Sequence, residues 1–226
     1  MTDITFRSDL RVTYIDHMGD DKRIAQAARV STNTDTSTRP HERLVRRLWE
    51  DGHTSPFEHN TLTVKASVPI FVAREWMRHR TQSFNEISGR YSDMAPVFYA
   101  PNRTRPVVQS GKSIDYDLSG GSWEQTANVI FAHESLAMSA WEEYKTMLDK
   151  GIAREVARNV LPLSLYTEFY ATASLLNWLK FVRLRSDPSA LHEIREAALS
   201  VEKIIKSVWP VSHSAFRGKA DEGNEI

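Results

Sequence analysis

Leu62, Val64, Ala66, Val68 and Ile70 alternate with other residues, and the period of two predicts a strand over 61–70. Its last part merges into an unbroken apolar run, Val68-Pro69-Ile70-Phe71-Val72-Ala73, which must be buried. The polar segment beyond it cannot be. Arg78-His79-Arg80-Thr81-Gln82-Ser83-Phe84-Asn85-Glu86-Ile87-Ser88-Gly89-Arg90-Tyr91 holds three arginines, a histidine, an asparagine and a glutamate, with only Phe84, Ile87 and Tyr91 as bulky apolar groups. A buried strand therefore runs almost directly into cations and hydrogen-bonding groups at the rim of a rigid scaffold. That arrangement suits the gripping of a phosphorylated ligand.

Other periodicities surround this segment. Helices are expected over 21–30 and over 41–51, where Leu44, Val45, Leu48 and Trp49 form an apolar stripe and Gly52 ends the run. A helix over 71–82 would put Arg74 and Arg78 on one face. Ser122 with Gln125 three residues on predicts a capped helix running to Lys150. Its stripe of Ala127, Phe131, Glu134, Met138, Trp141 and Leu148 is expected to be core or a subunit interface. Gly151 ends that helix, shorter helices follow at 152–160, 174–185 and 189–208, and Leu165 to Thr172 predicts a second strand. Residues 31–38 are expected to be a polar loop and 84–92 an irregular one. With Pro96, Pro101 and Pro106, 94–120 is expected to be a long extended connection. No linker divides the chain, so one α/β domain with mixed elements is expected over 1–216, with a flexible tail over 217–226 that has little to bury.

Composition excludes several functions. The 29 basic and 29 acidic residues cancel, so no long-range positive field would attract a nucleic acid. Arginines clustered in a neutral protein point instead to one small anion. No stretch reaches the roughly 18 apolar residues of a membrane span, and the N-terminus lacks a signal-peptide core, so the expected location is cytoplasmic. Cysteine is absent, which removes disulfides, thiolate metal sites and thiol nucleophiles together.

Two readings of the arginines stay open on sequence alone. They pair with acids such as Glu75, Glu86 and Glu155, or several converge on a phosphate through charge-assisted bonds worth roughly 1.5–3 kcal/mol each. His79 is equally open as a base, a cofactor contact or a structural filler. His53, Glu58 and His59 lack helical metal-ligand spacing and are interrupted by Pro56, so no metal site is expected. Ser88 has no nucleophile elbow around it and suits hydrogen bonding to a ligand, with Gly89 allowing close backbone approach. No Walker A or Gly-x-Gly-x-x-Gly sequence is present, so any nucleotide is held in another way.

Arg78-His79-Arg80, seven residues, then Ser88 resembles the signature of the flavin-dependent thymidylate synthases. Three further blocks resemble the same family in order. They are Gly52-His53-Thr54-Ser55-Pro56-Phe57-Glu58-His59, then Arg154-Glu155-Val156-Ala157-Arg158 with Leu161-Pro162-Leu163 and Leu165-Tyr166-Thr167, then Phe181-Val182-Arg183-Leu184-Arg185 with Ala190 and Glu193-Ile194. The resemblance implies the thymidylate synthase-complementing fold, a mixed α+β domain with a largely antiparallel sheet and long flanking helices. It implies a homotetramer with FAD at subunit interfaces and a reaction that methylates dUMP to dTMP. Methylenetetrahydrofolate would be the carbon donor and NADPH the reductant. By position, Glu75, Arg78, Glu86, Ile87, Ser88, Gly89, Arg90, Arg158 and Arg185 would bind dUMP. His53, Ser55, Arg78, His79, Arg80, Glu86, Ser174 and Lys180 would lie at FAD, with His53 also near the folate.

Without cysteine the uracil needs electrostatic activation, for which Arg185 is the expected catalytic group, with Ser88 orienting the nucleotide. Ser174, Leu176, Lys180 and Ser189 depart from the residues common in the family. Leu176 cannot make an arginine's phosphate contact, which leaves open a non-catalytic dUMP-binding relative with weakened flavin binding.

Overall fold

The structure is a computed structural model that describes residues 4–32, 40–112 and 115–218. Strands β1 (Thr5–Arg7) and β2 (Arg11–Met18) precede helices α1 (Asp21–Arg29) and α2 (Glu42–Glu50). A 3-10 turn at Ser55–His59 leads into β3 (Thr61–Pro69), which runs directly into α3 (Ile70–Trp76). Strands β4 (Ser83–Glu86), β5 (Val97–Tyr99), β6 (Val108–Lys112) and β7 (Asp115–Ser119) come before the long helix α4 (Trp123–Asp149). The chain continues through α5 (Arg154–Ala157), a 3-10 turn at Arg158–Val160, β8 (Tyr166–Ser174), α6 (Leu175–Arg185), α7 (His192–Val208) and α8 (Pro210–Arg217). It thus has the expected mixed α/β class with antiparallel sheet, β1 and β5 being a parallel exception.

Several expectations need correction. The helix expected over 71–82 stops at Trp76, where the chain turns back so that Gln82 accepts the Trp76 indole N–H; Arg78 therefore shares no helix face with Arg74. The loop expected at 84–92 begins as β4. The connection expected over 94–120 contains three strands, because β5 pairs with β1 and β6 pairs antiparallel with β7 from Val108↔Ser119 to Lys112↔Asp115. The predicted short helix at 152–160 is α5 followed by a 3-10 turn. Most of the expected polar loop at 31–38 and most of the tail at 217–226 lie outside the described residues.

The described residues group into two compact units. The first comprises 1–9, 67–74 and 86–168. Its core gathers Phe98, Ala137, Trp141, Tyr144, Ala157 and Leu165, with Phe6, Ile70 and Met94 packed against them. Helix α4 starts with the expected capping box, in which Ser122 Oγ accepts the Gln125 N–H at 3.1 Å and Gln125 accepts the Ser122 N–H at 2.8 Å. It ends before Gly151, whose φ of 75° is a left-handed turn that a side chain would strain. Of the predicted stripe, Trp141 joins the core while Phe131 and Met138 are exposed on the single chain.

The second unit comprises 10–66, 75–85 and 169–226. The four-stranded sheet runs in the order β2-β3-β8-β4, and residues 61–66 of β3 and 169–174 of β8 belong to this unit. Strand β3 alternates half-buried and fully buried residues as its sequence predicts, each buried Leu or Val contributing roughly 1.5–3 kcal/mol. Trp76, Phe169, Trp178 and Phe181 pack largely edge to face, with Trp76 5.3 Å from Phe169 and Trp178 5.6 Å from Phe181. Both buried indole N–H groups of this cluster are used: Trp178 donates to the Leu62 carbonyl and Trp76 to Gln82 Oε1, each at 2.9 Å. Helix α8 was not expected. The Asp21 carboxylate caps it by accepting the Val211 and Ser212 N–H groups, both at 3.0 Å.

Candidate functional site

In the second unit, the Trp76–Gln82 bond pins the start of the polar segment to the aromatic core. Between these anchors the chain makes tight turns, with the His79 N–H bonded to the Trp76 carbonyl at 3.0 Å and the Gln82 N–H to the His79 carbonyl at 3.2 Å. Arg78 and Arg80 are left exposed on either side of a half-buried His79. Among the described residues no ion pair or side-chain hydrogen bond engages either guanidinium.

Arg185 closes α6 and is only 14% exposed. Its Nε–H donates to His79 Nε2 at 3.0 Å. One terminal nitrogen donates to Glu75 Oε2 and the other to the Glu75 carbonyl oxygen, both at 2.9 Å. The Phe181 and His79 rings pack edge to face with their centres 4.9 Å apart. Burial, the nearby Arg185 charge and, in opposition, Glu75 leave His79 with a pKa lowered to about 4. The ring is therefore neutral at physiological pH.

His53 and Ser55 are exposed around the 3-10 turn that buries Pro56 and Phe57. Ser174 caps α6, its Oγ accepting the Asn177 N–H at 3.4 Å, which leaves the hydroxyl proton and one lone pair for other partners. Two residues on, Leu176 is buried at 3% exposure, while Lys180 points to solvent. Among the described residues no hydrogen bond or ion pair joins His53, Ser55, Arg78, Arg80 or Lys180 to the Arg185 group.

The first unit holds the rest of the signature. The Ile87 N–H donates to the Glu168 carbonyl at 2.9 Å, and Thr167 Oγ1 donates to Glu86 Oε1 at 2.6 Å. Ser88 ties off the adjoining turn: its carbonyl accepts the Tyr91 and Ser92 N–H groups at 3.1 Å, and its Oγ accepts the Arg90 N–H at 3.3 Å. Gly89 is closely approached by two flexible side chains. A Cβ there would lie 2.9 Å from Met94 Sδ and 3.3 Å from Arg158 Cδ.

Arg90 Nε donates to Glu155 Oε2 at 3.1 Å and its guanidinium lies 5.5 Å from the Tyr91 ring centre, which leaves the terminal nitrogens open. Arg154 Nε donates to Asp93 Oδ1 at 2.6 Å. Two ion pairs thus tie the 88–93 turn to α5. Arg158 is exposed, and among the described residues no acid pairs with it.

Both sequence readings of the arginines hold in part. Arg185 and Arg90 are paired with Glu75 and Glu155, whereas among the described residues Arg78, Arg80 and Arg158 are not paired. Sequence reasoning missed Thr167 as the partner of Glu86, although Thr167 sits in a block that resembled the family. It also missed Asp93 and Gln82, whose partners are distant or revealed only by packing. Among the described residues no group of three or more His, Asp or Glu side chains is placed to hold a metal ion. None of the described helices is long and apolar enough to cross a membrane.

The family model described as thymidylate synthase complementing protein matches residues 13–211. The chain belongs to that family. A flavin-dependent thymidylate synthase from Thermus thermophilus is 42% identical over 213 residues, covering 94% of this chain and 77% of the relative. One from Tropheryma whipplei is 39% identical over 227 residues, covering 95% of each. Among solved structures, the UMP/dUMP methylase PolB from Streptomyces cacaoi bound with 5-Br UMP superposes with a TM-score of 0.89 at 40% identity, covering 95% of this chain and 96% of that one. The same methylase bound with 5-Br dUMP gives 0.88 at 38% identity. The resemblance drawn from the four sequence blocks is borne out, and the chain is an enzyme of the flavin-dependent thymidylate synthase family.

Proposed function

We propose that this chain converts dUMP to dTMP, taking the carbon from methylenetetrahydrofolate and the reducing equivalents from NADPH by way of FAD. The observation that carries the chemical part is Arg185, a guanidinium of low exposure held by three acceptors. Its unused N–H groups are preorganised, so charge developing on the uracil N3 and O4 would meet donors that need not reorganise. The chain has no cysteine to attack the ring, and this electrostatic activation takes the place of a thiolate.

The remaining residues bind and orient. Arg90 and Arg158 present terminal N–H groups to the nucleotide phosphate, and Gly89 lets the backbone come close. Glu86, held by Thr167, accepts hydrogen bonds from the substrate, and the Ser88 turn sets its orientation. The exposed Arg78, Arg80 and Lys180 charges and the exposed Ser55 and His53 fit a dinucleotide with two phosphates, with the Ser174 hydroxyl able to donate to it. Bound there, FAD would supply the hydride that completes the methyl group. Assembly as a homotetramer with FAD at subunit interfaces belongs to the same reading.

The alternative, a dUMP-binding relative that has lost flavin, draws on Leu176, which is a core residue here. Lys180 offers a compensating charge one turn on. Formation of dTMP from dUMP, methylenetetrahydrofolate and NADPH, with and without added FAD, separates the two. FAD-dependent product is the expected result. Bound dUMP without product under either condition would establish the alternative.

A further inference from the structure

A guanidinium carries five N–H donors and no acceptor. Arg185 donates through Nε to His79 Nε2, so that ring nitrogen must present a lone pair. A protonated imidazole has none, and a neutral ring protonated at Nε2 would set two donors against each other at 3.0 Å. The single ring proton therefore sits on Nδ1. Phe181 packs against the ring edge to face and holds its plane. Glu75 occupies one hydrogen on each terminal nitrogen of Arg185, by carboxylate and by carbonyl. That leaves one free N–H on each terminal nitrogen, with directions set once His79 fixes the third edge.

We propose that His79 is a positioning residue for Arg185: as the neutral Nδ1–H tautomer it accepts the Nε–H and aims the two free guanidinium N–H groups at the nucleobase. The same tautomer leaves the histidine one donor and no acceptor. Whatever group meets Nδ1 must itself be an acceptor, such as a carbonyl oxygen or a bare ring nitrogen. The charged groups acting on the ring are Arg185 from α6 and Glu75 from α3, and both are hydrogen-bonded to each other. Burial and Arg185 both favour the neutral ring, so the acceptor persists through the working pH range. The proposal rests on the reading of Arg185 as the uracil-activating group.

Neutron diffraction from crystals of the full chain at pH 7 tests the tautomer directly. Deuterium on Nδ1 and none on Nε2 is expected; deuterium on Nε2 overturns the proposal. Kinetics test the positioning. In His79→Gln the amide oxygen reaches about where Nε2 stands, whereas in His79→Asn it stops near Nδ1. The Asn variant is expected to lose about a hundredfold in kcat with little change in KM for dUMP, as for a reacting group displaced by about 1 Å, and the Gln variant to recover most of it. Equal kcat in both variants and the parent overturns the proposal. Arg185→Ala is the control on the underlying reading: full turnover in that variant removes the role of Arg185 itself, while the neutron result still reports on the His79 bond.

Discussion

The second unit contains two clusters built from one histidine, one glutamate and one arginine, and they work in opposite senses. In the first, Arg185 is the hub, donating to both His79 and Glu75. In the second, Glu202 is the hub, accepting from His213 at 2.8 Å and from Arg217. The histidine of the first is an acceptor and must be neutral; the histidine of the second donates to a carboxylate. Burial pushes Glu202 up, but the hydrogen bonds and charges of His213 and Arg217 outweigh it and hold its pKa at about 2. Both hubs are poorly exposed, Arg185 at 14% and Glu202 at 11%, yet the first is a donor and the second an acceptor. Glu202 on α7, gathering donors from His213 and Arg217 on α8, joins the two helices. Arg185, a poorly exposed guanidinium with an N–H to spare on each terminal nitrogen, is equipped to act on a ligand.

The largest expected effect breaks the first cluster. Arg185→Ala should lower kcat for dTMP formation by about 10²–10³ while FAD, read by its absorbance in the purified protein, stays bound. Breaking the second should do the reverse. Glu202→Ala leaves the His213 and Arg217 donors without their acceptor at a buried site and should cost about 3 kcal/mol, read from urea unfolding, with turnover of the folded fraction unchanged.

Acid titration sharpens the contrast. His79 is neutral when folded, so the unfolded chain takes up a proton first and stability falls as pH drops from the ordinary 6.5 towards 4. Glu202 has a lowered pKa, so its contribution is complete above 4.5 and is lost as pH falls towards 2. Unfolding measured across pH should show both windows. His79→Gln should remove the upper one alone and Glu202→Gln the lower.

The smallest effects lie in the first unit. Gly89→Ala forces Met94 and Arg158 aside and should weaken dUMP binding about tenfold by calorimetry, in line with about 1–3 kcal/mol for overpacking; adding Met94→Ala should restore part of it. Asp93→Asn removes an exposed pair and should change dUMP affinity by no more than about threefold.

Legibility tracked the range of the interactions. The buried alternation of β3, the Ser122–Gln125 capping box and the Gly151 stop were readable because each is decided within a few residues. Strand β2 was not, because nearly all its residues are exposed and only pairing beside β3 defines it. Helix α8 escaped notice because its cap, Asp21, lies 190 residues away from Val211. In the signature, residue types and spacing alone pointed to an anion grip. The end of α3 at Trp76 was hidden, since it depends on the Trp76–Gln82 bond in the aromatic core.

By itself, the sequence determined the family, the candidate residues and the exclusion of thiolate chemistry, because those depend on which side chains exist and in what order. Which of them act together was a tertiary decision. Arg185 meets Glu75 across 110 positions and His79 across 106, and no local periodicity records that meeting. A histidine's protonation and an arginine's aim depend on which partners the packed core brings within hydrogen-bonding distance, and folding alone supplies those partners.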